Sequence, residues 1–454
     1  MLIKADRAAG SIGFTQWNLN PYQILTLGFT SAILLGTFLL MLPAASQTGA
    51  SLPFIDALFT ATSAVCVTGL TVVSTGDYFS VFGQMVIILL IQVGGLGVMT
   101  LTTLIAVLMG RKINLSKRLL VQESFNQLTM EGMVHLVLYV VKVTLLLEFL
   151  GGTILALRFW GDYGWRGVYY GYWHATSAFC NAGFDLFGGD NLFRYATDPL
   201  IVLTLSGLII LGGLGFAVLE DVFEHRSWER LAEQSKIVLA MSAFLLLFGM
   251  VVLFLLEYHN PDTIGDMSFS GKLLASFFES ATARTAGYTM IDNGALTEAS
   301  LFLVIWLMFI GASPASTGGG IKTSTFAVIV ATVWGLIRGR DEVLLFSREV
   351  PKETIIRALT LFFLAAGLVF FVTMYLCVTE DISVIRAAFE VVSAFATVGL
   401  TTGITPSLTS DGKFILVLVM LLGRVGVVTV AMALAMRKNA RHHYHYPTGK
   451  FTIG

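Results

Sequence analysis

The chain has 454 residues, 56% of them hydrophobic and 13% charged, where an average soluble domain carries about 25% charge. That excludes a soluble globular domain and predicts an all-α integral membrane protein. A formal net charge of −1 offers no field for nucleic acid. Cys66, Cys180 and Cys377 are too few for a disulfide framework and read as small buried side chains.

From the amino end, Met1 to Asn20 is mixed polar, with Lys4 and Arg7, and is expected to hold no removable signal peptide. Tyr22 to Leu42 is uncharged and near the ~20 residues that a membrane span needs. Phe54 to Val65 is apolar and free of Pro and Gly, yet at ~1.5 Å per residue it reaches about half of a ~30 Å bilayer core. It enters the membrane and stops. Its end, Ala61-Thr62-Ser63-Ala64-Val65-Cys66-Val67-Thr68-Gly69-Leu70, reads as the helix and bend of a re-entrant hairpin. Such a bend puts backbone at mid-depth, which is tolerated only inside protein or against a wet cavity. Val81 to Met109 spans again, and the basic loop Arg111, Lys112, Lys117 and Arg118 marks the cytoplasmic side.

The order then repeats. Met133 to Leu157, interrupted by Lys142 and Glu148, precedes a second hairpin and Pro199 to Leu219, with a polar link from Asp221 to Lys236 that holds His225, Arg226 and Arg230. Ile237 to Leu256, a third hairpin and the long segment Ala299 to Ile337 lead to Arg338, Arg340, Arg348, Lys352 and Arg357. Ala358 to Val378, a fourth hairpin and Phe414 to Met436 end in Arg437, Lys438 and Arg441. His442, His443 and His445 read as a solvated tail, because no cysteine or acid stands beside them to complete a metal site.

The hairpins carry one motif. Ala175-Thr176-Ser177-Ala178-Phe179-Cys180-Asn181-Ala182-Gly183-Phe184 matches the first almost residue for residue; Ala281 to Tyr288 and Val392 to Leu400 match it more loosely. Gly69, Gly183, Gly287 and Gly399 recur at intervals of ~110 residues, the period of an internal repeat. The expected architecture is four parallel membrane-pore-membrane repeats around one pseudo-fourfold pore, with eight full spans and four re-entrant half-helices. Residues 1–110, 111–225, 226–340 and 341–436 form the repeats, and 437–454 a cytoplasmic tail. Basic clusters lie between repeats, so both termini are cytoplasmic and the hairpins dip in from the outer face. The half-helices aim carboxyl ends carrying about half a negative charge at the centre. A ring of backbone carbonyls there replaces the water shell of a bare cation.

At this point the chain resembles the Trk/Ktr/HKT superfamily of potassium-translocating proteins over nearly its whole length. The resemblance rests on the four units with a glycine in each, the string Arg284-Thr285-Ala286-Gly287-Tyr288, and a broken second span in the third unit. It is most similar to bacterial Ktr-type pore subunits. Only a short tail precedes Tyr22, where Trk-type relatives carry extra spans, and the closing Tyr446 to Gly454 is similar to Ktr-type carboxyl ends. The resemblance implies K⁺ uptake through a gated pore in the bacterial inner (plasma) membrane, with Na⁺ dependence a family trait. It also implies a homodimer, a cytoplasmic nucleotide-binding regulatory ring (KtrA-like, ATP or ADP), and no enzymatic activity. Gly at the first-repeat position accompanies K⁺ preference in the family and Ser accompanies Na⁺, which puts Gly69 with the potassium group.

The expected filter strands are Val67-Thr68-Gly69, Asn181-Ala182-Gly183, Thr285-Ala286-Gly287 and Thr397-Val398-Gly399. Their ligands are backbone, so side chains vary freely, and four unlike strands predict looser K⁺ over Na⁺ selectivity than identical ones. Arg284 precedes the third strand and is expected behind it as a brace, paired with Glu279 or Glu390. Gly311 to Ser324 interrupts a segment whose two apolar halves are each too short to cross alone. Such polar backbone should face the cavity below the filter, and Gly311, Ser316, Thr317, Gly318, Gly319, Gly320 and Lys322 are read as a gate, as the family's loop is.

Gly94-Gly95-Leu96-Gly97, Gly212-Gly213-Leu214-Gly215 and Gly423-Arg424-Val425-Gly426 stand at the same level, where Arg424 would raise a barrier to K⁺. Gly318 to Thr323 lacks the adjacent Gly-Lys of a P-loop, so no nucleotide is expected on this chain. The alternative, a Na⁺- or H⁺-coupled transporter of another cation, predicts inverted repeats and ionisable ligands at the midplane. A membrane enzyme would need acids, His or Cys gathered at one interface, which no loop offers.

Overall fold

The computed structural model describes residues 21–97, 100, 133–188, 192–340 and 342–426. Expectations for Met1 to Asn20, for Arg111 to Arg118, for the end of the span Val81 to Met109, for residues 427–436 and for the tail 437–454 with its three histidines lie outside these residues. The regular elements among the described residues are helices apart from one antiparallel pair, β1 (Leu344–Leu345) and β2 (Arg348–Glu349).

α1 (Pro21–Leu40), α2 (Phe54–Cys66), the short α3 (Thr75–Tyr78) and α4 (Val81–Leu96) open the chain. α5 (Met133–Tyr163), α6 (Trp165–Phe179), α7 (Pro199–Leu214) and α8 (Phe216–His225) follow. Then come α9 (Glu233–Glu257), α10 (Phe269–Thr282), α11 (Glu298–Phe309) and α12 (Thr323–Ile337), and finally α13 (Lys352–Glu380), α14 (Val384–Phe395) and α15 (Ser410–Val425). By length and apolarity, Gln23–Leu40, Leu136–Tyr163, Glu233–Glu257 and Lys352–Glu380 can each cross a membrane.

The four helices that carry the repeated motif, α2, α6, α10 and α14, are short and lie inside. They carry buried polar side chains, among them Ser63, His174, Ser177, Glu279, Thr282, Glu390 and Ser393. The long helices around them expose Leu35, Phe38, Leu145, Phe149, Phe370 and Phe371. Apolar outside and polar inside inverts the pattern of a soluble protein and matches a lipid surround.

Helices α4, α7 and α15 all end on the same local geometry. Gly97, Gly215 and Gly426 follow them with φ of +84°, +94° and +97°, a region in which only glycine rests easily. At Gly215 the chain turns by 98° into α8. The helix expected to continue from Pro199 to Leu219 therefore breaks after Leu214, and the polar link begins as helix up to His225.

At the opposite end, each long helix is bracketed to the start of its partner. Glu257, closing α9, accepts from the amide and hydroxyl of Thr297 (3.0 and 2.8 Å), the residue that caps α11. Glu380, closing α13, takes the same two groups of Thr409, the cap of α15. In α5 the polarity is reversed, since Arg158 donates to Asp198 (2.7 Å), which caps α7. At the first helix pair Ser80 caps α4 and donates to the Ala44 carbonyl (2.6 Å). Lys413 of α15 pairs with Asp56 of α2 at 2.8 Å, joining the last helices to the first.

Candidate functional site

The four inner helices end alike. The carbonyls of Ser63, Ser177, Thr282 and Ser393 accept from the amides of Thr68 (2.7 Å), Ala182 (2.8 Å), Ala286 (2.9 Å) and Val398 (2.8 Å). Their hydroxyls reach into the strands beyond. Gly69 and Gly399 donate to Ser63 and Ser393, each at 3.0 Å. Ser177 and Thr282 instead donate to the carbonyls of Phe184 (2.9 Å) and Tyr288 (2.8 Å). N–H and C=O point opposite ways in a trans peptide. The carbonyls of Val67, Thr68, Asn181, Thr285, Thr397 and Val398 are therefore turned away from their helices.

Val67, Asn181, Thr285 and Thr397 all have left-handed φ, between +51° and +74°, and so have the glycines two residues on. Three of these four are β-branched, for which such angles are true outliers costing about 1–3 kcal/mol each. A strain repeated at four matching positions marks a backbone shaped for a purpose.

The four strands meet in one closed ring. A Cβ built on Gly69 would lie 2.6 Å from the Ala182 carbonyl oxygen, and one on Gly183 2.6 Å from that of Ala286. A Cβ on Gly287 would lie 2.3 Å from the Val398 oxygen, and one on Gly399 2.2 Å from that of Thr68. Each glycine touches the next strand in chain order, and the last returns to the first. No side chain larger than hydrogen fits at any of the four.

Behind the ring, Glu390 of α14 accepts from the hydroxyls of Thr401 and Thr405 and from the amide of Thr402 (3.1 Å), so it anchors the chain leaving the fourth strand. His174 of α6 does the same for the second strand, accepting from the Leu186 amide at 3.3 Å. Glu279 is buried on α10. Arg284 pairs with neither acid. It donates to the carbonyl and hydroxyl of Ser242 on α9 (3.0 and 3.2 Å), so the expected ion pair is corrected to a hydrogen-bonded tie to a neighbouring helix. Glu390 is occupied by its three donors, and a backbone carbonyl is an acceptor that sequence cannot advertise. Glu148 of α5, buried, meets Gln92 (3.3 Å) and Cys180 (3.8 Å), while Lys142 is exposed.

Residues 310–322 separate α11 from α12 and lie at the helix-end side of the ring. A Cβ on Gly318 would fall 2.0 Å from the Thr285 hydroxyl, and one on Gly319 2.4 Å from that of Thr397. Bonds from α6, α7, α8 and α15 hold this loop. The amides of Ser313 and Thr317 donate to the carbonyls of Gly213 (3.0 Å) and Gly212 (3.3 Å), and Phe216 donates to Ala315 (2.9 Å). The Thr317 hydroxyl reaches the Phe179 carbonyl at the end of α6 (3.3 Å). Arg424 of α15 donates at once to Thr317 O in the loop and to Gly94 O in α4. Within the loop, Lys322 donates to Gly318 O (2.8 Å), Ser316 to Ser313 O (2.6 Å), and Gly311 packs on Gly319.

The residues expected in the four filter strands and in the loop, with Arg284 and Arg424, lie next to one another in the structure. The hydroxyls of Ser63, Ser177, Thr282 and Ser393 and the anchor His174 are not picked out by the sequence, and Glu390 is named there only as a partner for Arg284. Ser63, Ser177 and Ser393 stand six residues before Gly69, Gly183 and Gly399, a periodic signal that Thr282, five before Gly287, follows only loosely; His174 leaves no such signal.

The TrkH cation transport protein family matches residues 16–442 of this chain. The chain belongs to that family. It is 42% identical to the "Ktr system potassium uptake protein B" of Bacillus subtilis (strain 168), covering 100% of both chains. It is 40% identical to the "Potassium/sodium uptake protein NtpJ" of Enterococcus hirae, over 96% of this chain and 98% of that one. The crystal structure of TrkH from Vibrio parahaemolyticus shares the fold, with a TM-score of 0.73 at 17% identity over 93% of this chain and 86% of that one. This TrkH family member is a membrane protein, and these relatives are transporters and not enzymes.

Proposed function

We propose that the chain takes up K⁺ through a gated pore built from four parallel membrane-pore-membrane repeats, residues 1–110, 111–225, 226–340 and 341–436. In this reading α4, α7 with α8, α11 with α12, and α15 complete eight spans, and α2, α6, α10 and α14 are re-entrant half-helices. The single observation that carries it is the closed ring in which Gly69, Gly183, Gly287 and Gly399 each pack on the next strand's backbone. Carbonyls of Val67, Thr68, Asn181, Ala182, Thr285, Ala286, Thr397 and Val398, with those of the glycines, hold a dehydrated K⁺. Arg284 braces the third strand through Ser242.

The loop with Gly311, Ser316, Thr317, Gly318, Gly319, Gly320 and Lys322 is the gate. It sits against Thr285 and Thr397, across the way out of the ring, and Arg424 locks it to α4. A guanidinium and an ammonium at this level oppose a cation until they move. The name of the Enterococcus relative, a potassium/sodium uptake protein, supports Na⁺ as a second transported or coupling ion. The "Ktr system" names support a multi-component assembly, here a homodimer with a KtrA-like nucleotide-binding ring, in the inner membrane with both termini cytoplasmic.

The test is Rb⁺ and Na⁺ uptake in a transport-deficient cell. Gly69→Ser should admit more Na⁺ relative to Rb⁺. An unchanged ion preference in a well-expressed Gly69→Ser chain overturns the filter assignment.

A further inference from the structure

The break at 310–322 leaves α12 a half-span, and the side that it shares with α9 is incompletely packed. Between the two helices runs a groove of about 450 Å³, within the range of ~300–1,000 Å³ typical of ligand sites. Its floor is made narrow-chained by Ala240, Ala327 and Ala331, and its walls are Phe244 and Trp334, which are 58% and 55% exposed. One end is basic. After Ile337 the chain folds back, and the amides of Arg338 and Arg340 both donate to Gly335 O (3.1 and 3.0 Å). That turn sets two guanidinium groups at the groove mouth, with Arg338 over the Trp334 ring at 4.7 Å. Neither is in an ion pair among the described residues; Arg348 nearby is answered by Glu233 at 3.1 Å. Glu342 is the one carboxylate among the described lining residues, against two arginines.

We propose that this groove is the binding site of an anionic phospholipid, with one acyl chain between α9 and α12 and the phosphate on Arg338 and Arg340. The inference rests on reading α9 and α12 as membrane-crossing elements whose Arg338 end is cytoplasmic. An apolar trough facing lipid takes hydrocarbon, and two guanidiniums at its cytoplasmic mouth select a headgroup with net negative charge over a zwitterion. Occupancy matters to transport because α12 begins at Thr323, directly after Lys322, which is bonded to Gly318 in the loop. A lipid that wedges α12 against α9 steadies the loop from its carboxyl side.

The experiment uses the purified full chain, delipidated in detergent and titrated with phosphatidylglycerol or phosphatidylcholine, with retained lipid counted by native mass spectrometry. Wild type should retain phosphatidylglycerol over phosphatidylcholine by roughly thirtyfold, from about two basic contacts. Arg338→Gln with Arg340→Gln should bring phosphatidylglycerol down to the phosphatidylcholine level. Ala331→Trp, which fills the trough and spares the charges, should lower retention of both. Equal phosphatidylglycerol retention by wild type and both variants overturns the site. Retention is read without transport, so that failure leaves the pore reading standing. A chain that keeps the lipid in 1:1 vesicles of the two lipids but carries no Rb⁺ overturns the pore reading alone.

Discussion

The ring and the loop beside it are both glycine-rich backbone buried at the centre of the molecule, yet they are held in opposite ways. The ring is supported four times over by matching bonds from its own helix ends, and each strand is wedged against the next. The loop exists once, and its ties reach outward to α6, α7, α8 and α15 through backbone groups, one hydroxyl and one arginine. A buried hydrogen bond contributes about 0.5–1.5 kcal/mol, or ~1.5–3 kcal/mol when charged. The ring's bonds must all fail together before it opens, whereas the loop can be freed by losing a few. On the proposed function, rigidity sits where an ion is to be recognised, and weakness where passage is to be controlled.

The sharpest way to break this contrast is to disturb the ring. Gly399→Ala puts a methyl 2.2 Å from the Thr68 carbonyl at φ +99°, and should reduce Rb⁺ uptake at least ~100-fold, about 2.7 kcal/mol of barrier. Membrane yield and gel-filtration profile would separate this from misfolding; wild-type uptake would mean that the ring is as pliable as the loop. Deleting Gly318 to Gly320 should do the reverse and raise resting Rb⁺ leak into liposomes about tenfold, removing ~1.4 kcal/mol of closure. A deletion with wild-type resting flux would remove the loop from any role in gating. The smallest effect is expected from Arg424→Gln, which keeps the backbone and weakens two charged bonds. Resting flux should rise about threefold, since part of the ~1.5–3 kcal/mol per bond is recovered by the amide. No change would assign the closed state to the loop's backbone ties alone.

Much of this was legible in the chain itself. The half-length of Phe54 to Val65 and the regular recurrence of Gly69, Gly183, Gly287 and Gly399 are covalent facts, and length against bilayer thickness is a strong constraint. The interrupted segment from Ala299 to Ile337 could likewise be read from its two short apolar halves. What could not be read were the acceptors. A buried Arg284 demands a partner, and the acids are the only ones a sequence displays, whereas Ser242 supplies a carbonyl and a hydroxyl brought near by the packing of α9 on α10. Glu148 found Gln92 and Cys180 for the same reason, across two other helices. The size of the turn at Gly215 also escaped, because a glycine permits a bend without fixing its angle.

The pairing of Asp56 with Lys413 has a consequence of its own. Four beads on one string need only three joints from the peptide chain to form a necklace, and the clasp between the last bead and the first is non-covalent. Because every position on the necklace is encoded separately, a substitution alters one quarter of the circle and leaves three, a freedom that assemblies of identical chains lack. A clasp made without a peptide bond, by this largely sheltered ion pair, the Arg424 tie to Gly94 and the packing of Gly399 on Thr68, also marks where the circle could be rejoined through a linker and cut elsewhere without changing the order of its beads.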